Sequence, residues 1–331
     1  MLLFLPRRVG SVKRGAVGAR ERPLPFLIML EKNRLAKRAS LLRISALTLA
    51  ENLKNGGFKS VFRGQGIEFS DVRDYLPGDN VRSIDWNVTA RMGRPFIKQY
   101  EEDRELNVFL VVDCSASMKS GSNGNSRLFQ ASETAALVLL AAEKNSGAIG
   151  AVFFDGEIKF SCPPRSGTKN SMMILSKLDK IENGTENGGA NGSALANAIA
   201  GASKILKKRS LIFIISDFRA AKWEKNFAKL TEKNDVVAVK ITDPSDFELP
   251  EAGTMTFFDP ETKKRAVFPT SSKKFKQAWL EDNQKRTKKW KEFCEKHGAD
   301  SVLISTNEDS ALALKKFFAK KAMANKNGAG F

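Results

Sequence analysis

Two stretches constrain the fold more than anything else in the chain. Residues 106–113, LNVFLVVD, and 210–217, SLIFIISD, are unbroken apolar runs of strand length, and each ends in an aspartate. A strand with water on one face alternates apolar and polar residues, so a run without alternation must be covered on both faces. Helix-length segments lie between and beyond them. RLFQASETAALVLLAAE (127–143) is apolar nearly all round and predicts a buried helix. NSMMILSKLDKI carries Met172, Leu175, Leu178 and Ile181 along one helical face, and SALANAIAGASKIL does the same through Leu195, Ala198, Ile199 and Ala202. GAIGAVFFDG predicts a strand with EIKFS as its hairpin partner, and KWEKNFAKLTEK a helix anchored by Trp223, Phe227 and Leu230. DVVAVKI is a further strand. After a short β-like excursion at 253–268 come a Lys-rich helix (273–296), the strand ADSVLIS and the helix DSALALKKFFAKK. Alternating strands and helices specify a doubly wound, mostly parallel α/β sheet with helices on both faces.

Upstream of 106 the pattern changes. A helix is expected over about 31–54, followed by a Gly- and turn-rich stretch that reads as short strands and loops, so 29–105 forms an N-terminal helix and a small β-rich lobe. The α/β domain then spans 106–322, with a flexible tail at 323–331. Residues 1–28 are basic and broken by Pro and Gly; they are expected to be disordered, or a start-site artefact if translation begins at Met29.

Composition removes several function classes. The three cysteines, Cys114, Cys162 and Cys294, are far apart and form no CxxC pair, which argues against a disulfide framework or a zinc site and suits a reducing cytoplasm. The one histidine, His297, sits where a helix should end, so a His-dependent triad is not expected. No apolar run reaches the roughly 20 residues that span a bilayer. The formal net charge of +18 favours acidic partners and leaves peripheral contact with an anionic membrane surface open.

The aspartates that end the two apolar runs carry the chemistry. In doubly wound sheets, ligands bind beyond the carboxyl ends of strands where strand order reverses. With the order 3-2-1-4, Asp113 and Asp217 face one crevice. Ser115 and Ser117, at alternate positions in DCSAS, bring two hydroxyls to the same point. Two carboxylates with hydroxyls make an all-oxygen pocket suited to a hard cation, Mg²⁺ foremost. The same aspartates also suit helix N-caps following strands.

Asp113-Cys-Ser115-Ala-Ser117 resembles the DxSxS signature of von Willebrand factor A-type domains, whose metal-ion-dependent adhesion site is completed by a Thr and a second Asp. That resemblance assigns the second Asp to Asp217. NGSALANAI is similar to the loop-and-helix pattern that carries the Thr, placing Ser193 there with the methyl lost; Thr185 is a second candidate. The segment FRGQGIEFSDVRDYLPGDNVRSIDWNVTARMGRPFIKQYEEDREL resembles the signature of the DUF58 family, through Gly64, Gly66, Glu68, Phe69, Asp71, Arg73, Tyr75, Pro77-Gly78-Asp79, Ile84-Asp85-Trp86 and Thr89-Ala90-Arg91. The likeness runs from about residue 40 to about 320. It implies a non-catalytic, cytoplasmic bacterial module that works with a MoxR-type AAA+ ATPase in complex assembly or maturation, binding an acidic partner through Mg²⁺, or Mn²⁺ or Ca²⁺. Within the signature, Gly, Pro-Gly-Asp and Trp suit turns and packing, while Arg73, Asp79, Arg82, Asp85 and Arg91 could form a docking face.

Two other classes remain open on sequence. A metal-dependent hydrolase or phosphatase would need the second acid of a DxD loop, and Ser115 stands in its place; no G-x-S-x-G or P-loop pattern occurs. Nucleic-acid binding would rest on KILKKRS and QKRTKKWKEF. No nucleic-acid fold motif accompanies them, and such runs suit solvated helix faces, so no specific nucleic acid is expected.

Overall fold

The structure, a computed structural model, describes residues 3–4, 46, 49–50, 67–102, 106–122, 124–184, 194–258 and 265–328. Strands β1 to β11 are Leu3–Phe4, Ile67–Asp74, Phe96–Glu102, Asn107–Asp113, Ala148–Phe154, Ile158–Arg165, Leu211–Ser216, Asp235–Thr242, Thr254–Phe258, Arg265–Pro269 and Asp300–Ser305. Helices α1 to α7 are Trp86–Met92, Arg127–Lys144, Thr168–Glu182, Leu195–Ile205, Glu224–Thr231, Lys273–Lys296 and Ser310–Gly328.

Six strands form the central sheet in the order β11-β8-β7-β4-β5-β6. All neighbours are parallel except β5 and β6, which form the expected antiparallel hairpin. The expected reversal is present: from β4 the chain goes first to β5 and later to β7 on the other side.

Alternation along these strands sends side chains into two cores, as the two-residue period of a pleated strand requires. Val108, Leu110 and Val112 of β4, with Leu211, Phe213 and Ile215 of β7, pack against α2, α3 and α7. Phe109 and Val111, with Ile212 and Ile214, pack against α4, α5 and α6. Ser126 starts α2 by accepting the Phe129 amide on its hydroxyl. Ala46, Leu49 and Ala50 are helical, within the helix expected over 31–54, and they join the first of these cores.

Two smaller sheets complete the described residues. The lobe expected upstream of 106 is a pair, β2 with β3, antiparallel and bulged between Phe69 and Asp71. β9 and β10 form the excursion expected at 253–268, and β1 pairs with β9. That pairing places Leu3 and Phe4 in a strand, inside a segment expected to be disordered. α7 runs on to Gly328, where a tail was expected from 323. Among the described residues no helix is long and apolar enough to cross a membrane.

Candidate functional site

Four parallel strands of the central sheet are each completed or followed by an aspartate: Asp113 at β4, Asp155 at β5, Asp217 at β7 and Asp243 at β8. All four do the same local work. Oδ1 of each accepts the backbone amide two residues on, from Ser115 (2.9 Å), Glu157 (3.0 Å), Arg219 (3.0 Å) and Ser245 (3.0 Å). Such a turn closes the strand and starts the next loop, so capping accounts for one oxygen of every pair.

The second oxygens separate the four. Asp243 Oδ2 accepts from the Ser122 amide (3.0 Å) and the Thr306 hydroxyl (2.7 Å). Burial opposes its ionisation, yet the bonds from Ser245, Thr306 and Ser122 outweigh burial and take its pKa down to about 2. Asp155 Oδ2 lies 3.5 Å from the Lys159 ammonium. Asp113 Oδ2 accepts from Ser216 Oγ, at 2.6 Å. Asp217 Oδ2 is buried with no hydrogen-bond partner. Its nearest cation, Arg219 Nε, stands 3.7 Å away, and the same guanidinium donates to Asp246 Oδ1 at 2.5 Å.

Asp113 and Asp217 are 1% and 2% exposed. Burial, and then the charge of Asp217, push the Asp113 carboxyl up to about 7, with bonds from Ser115 and Ser216 only partly offsetting them. Ser115 and Ser117 are buried and their hydroxyl oxygens are 3.1 Å apart. The structure thus brings Asp113, Ser115 and Ser117 together and sets Asp217 beside Asp113. Ser193 and Thr185 lie outside the described residues, although the Ala194 amide donates to Asp155 O at 2.7 Å and ties that loop to the end of β5. Among the described residues no group of three or more His, Cys, Asp or Glu side chains could hold a metal. The donors here are two carboxylates and two hydroxyls, a set that fits a small oxygen-seeking cation and leaves it coordination positions for other oxygens. Asp217 Oδ2, buried without a hydrogen bond, is the oxygen such a cation would satisfy.

A buried arginine behind the serine loop has no counterpart among the sequence expectations. Arg127, 1% exposed at the start of α2, donates to Asp246 Oδ1 at 2.6 Å and to Ser120 Oγ at 2.7 Å. Ser120 Oγ in turn donates to Ser117 O, so this buried arginine braces the loop that carries Ser115 and Ser117. The strand-end signal of Asp113 and Asp217 also marks Asp155 and Asp243, in AVFFD and VVAVKITD, but it does not reach Arg127.

The signature lobe divides the five docking candidates. Arg73 and Asp79 make a two-pronged ion pair at 2.7 and 2.8 Å, which holds the Asp79 carboxyl below its usual range, and Asp79 also accepts the Leu76 amide. Asp85 caps α1 through the amides of Asn87 and Val88. These three have structural work within the lobe, whereas Trp86 of the turn-and-packing alternative does not pack. Arg82 and Arg91 are exposed, together with Leu76, Val81, Met92 and Trp86, which is 67% exposed.

His297 ends α6, with Nδ1 2.8 Å from Phe293 O, and the three cysteines are free and buried. In the basic run on α6, Trp290 is buried while Lys285, Lys288, Lys289 and Lys291 are exposed.

A family model described as "Protein of unknown function DUF58" matches residues 71–289. Rv1480 of Mycobacterium tuberculosis (strain ATCC 25618 / H37Rv), named as an uncharacterized protein, is 31% identical over 230 residues, covering 68% of this chain and 72% of its own. Among solved structures, the conserved hypothetical protein BatB from Bacteroides thetaiotaomicron is 18% identical with a TM-score of 0.42, covering 66% of this chain and 99% of that one. An aerotolerance-related membrane protein from Bacteroides fragilis NCTC 9343 is 16% identical with a TM-score of 0.45, over the same shares.

Proposed function

The chain belongs to the DUF58 family, and from that premise we propose that it is a protein-interaction module whose contact with its partner runs through a divalent cation held between Asp113 and Asp217. Mg²⁺ suits the donors best, with Mn²⁺ or Ca²⁺ as substitutes. The observation that carries this reading is the buried Asp217 Oδ2 without a hydrogen bond, beside an Asp113 carboxyl raised to about 7. Two neighbouring carboxylates with too little positive charge form a costly arrangement unless a ligand completes it.

Asp113 and Asp217 would balance the charge of the cation, and Ser115 and Ser117, with Ser193 as the resemblance assigns it, would add neutral oxygens. When bound, the cation supplies an open position for an Asp or Glu of the partner. Net charge of +18 would speed encounter with an acidic surface. The family resemblance points to a MoxR-type AAA+ ATPase as the machine this module serves, in assembly or maturation of protein complexes, with Arg82, Arg91 and Trp86 available as a second contact.

The test is a pull-down against the MoxR-type ATPase and its clients from a native lysate. Capture should require Mg²⁺, vanish in EDTA, and vanish for Asp113→Ala protein that still melts cooperatively. Undiminished capture under both conditions rejects the proposal.

A further inference from the structure

Beside the carboxyl ends of β7 and β8, on the face covered by α6, lies a cavity of about 400 Å³. That volume is within the range of small-molecule pockets. Its walls combine aromatic rings with cations. Phe218, Trp223, Trp290 and Phe293 form one connected group, with Phe218 centred 5.2 Å from Trp223 and 5.3 Å from Trp290. Phe218 is held at φ +51°, a conformation that a bulky residue rarely adopts. Strain of this kind is concentrated at ligand sites.

Four cations, Arg219, Lys240, Arg286 and Lys289, line the cavity against two carboxylates, Glu224 and Asp246. Arg219 is paired with Asp246, and Arg286 with Asp282, which is outside the lining. Lys240 and Lys289 have no ion-pair partner among the described residues. Lys240 lies 5.5 Å from the centre of the Trp290 ring. Burial and then Arg219 lower its pKa to about 8, against the pull of Asp217 and Asp246. The indole N–H of Trp290 is a buried donor with no acceptor.

We propose that this cavity binds a nucleoside phosphate, with the base against the Trp223–Phe218–Trp290 wall and the phosphate on Lys240 and Lys289. Two unpaired cations match a phosphate monoester, which carries about −1.5 to −2 at neutral pH. Flat aromatic walls suit a base, because every base offers a π-face for stacking. A simple anion would use only the cations, and an apolar ligand would leave Lys240 half-buried and unmatched. The cavity adjoins Asp217 through Phe218 and Arg219, but neither Asp113 nor Asp217 lines it, and the proposed contacts need no metal.

Titration calorimetry at low salt in EDTA tests it with AMP, adenosine and inorganic phosphate on the full chain. AMP should bind saturably with one site, at least about tenfold tighter than either adenosine or phosphate. Lys240→Met should weaken AMP by about tenfold or more, and the exposed Lys289→Gln provides a second reading if the first variant folds poorly. Three outcomes overturn the proposal: no saturable AMP binding at millimolar concentration, phosphate binding as tightly as AMP, or unchanged AMP affinity in the folded lysine variants.

Discussion

The hydroxyl of Ser216 donates to Asp113 Oδ2 at 2.6 Å, so the last residue of β7 steadies the last residue of β4 across the point where strand order reverses. The same oxygen accepts the Phe218 amide at 3.0 Å. Ser216→Ala removes a buried donor from a carboxylate and an acceptor from an amide together. It should cost about 1–3 kcal/mol by urea denaturation in EDTA, since an orphaned buried polar group bears its full desolvation penalty. A change well below that range would mean that water replaces the hydroxyl.

The Asp113 carboxyl gives the metal-free protein a defined pH dependence. Its pKa is about 7 when folded, against 3.8 as the ordinary value. Between those values the folded chain holds a proton that the unfolded chain has lost. The group's contribution to stability is therefore complete below about pH 4, falls as pH rises toward 7, and is level above that. Asp113→Asn carries no such proton. In EDTA its stability relative to the wild type should increase from pH 5 to pH 8, by a few kcal/mol at most. Parallel pH profiles for the two proteins would show that Asp113 is not raised.

A cation held between Asp113 and Asp217, as proposed, would bind the folded chain alone. Mg²⁺ should then stabilise the wild type, by about 2.7 kcal/mol at a hundred times its Kd. The effect should be larger at pH 8 than at pH 5, where Asp113 is protonated, and absent in Asp217→Ala. Thermal melts with and without EDTA read it directly; equal Mg²⁺ shifts in wild type and Asp217→Ala would remove the cation from this crevice.

The sheet was legible because β4 and β7 are apolar without interruption, which leaves burial on both faces as the remaining option. Asp113 and Asp217 followed from the rule that ligands gather where strand order reverses. Asp155 and Asp243 carry the same strand-end signal, and only hydrogen bonds show that Asp243 is satisfied where Asp217 is not. The Arg127–Asp246 pair spans 119 positions, and nothing local marks a helix-opening arginine as buried. Gly150 was equally silent. A Cβ there would lie 2.7 Å from the Phe109 ring and from Pro164 N, so the β5–β6 edge depends on a missing methyl that the strand pattern GAIGAVFF does not reveal.

Trp86 presents an exposed indole at the first position of a short helix whose own cap, Asp85, is intact. Trp86→Ala should leave stability within about 0.5 kcal/mol, as exposed positions do. If the lobe contacts a partner, the same change should reduce capture in the Mg²⁺-dependent pull-down, because large aromatics dominate interface energies. Full capture by Trp86→Ala would assign this residue no part in docking.

Asp246 is the shared acceptor of Arg127 and Arg219, at 2.6 and 2.5 Å. Asp246→Ala strands Arg127, whose side chain is 2% exposed and keeps only Ser120 as a hydrogen-bonded partner. Breaking one side of a buried pair costs about 3–5 kcal/mol. Arg127→Met should be milder, because Asp246 retains Arg219 and the capping bond from the Asp243 amide. Arg127→Met also removes the donor to Ser120 that braces the Ser117 loop, so it should weaken the Mg²⁺ response while the fold persists. Denaturation with and without Mg²⁺ separates the two effects: Asp246→Ala should show the larger loss of stability. An Arg127→Met protein that loses as much stability as Asp246→Ala, yet keeps a full Mg²⁺ response, would make this network a support for α2 alone.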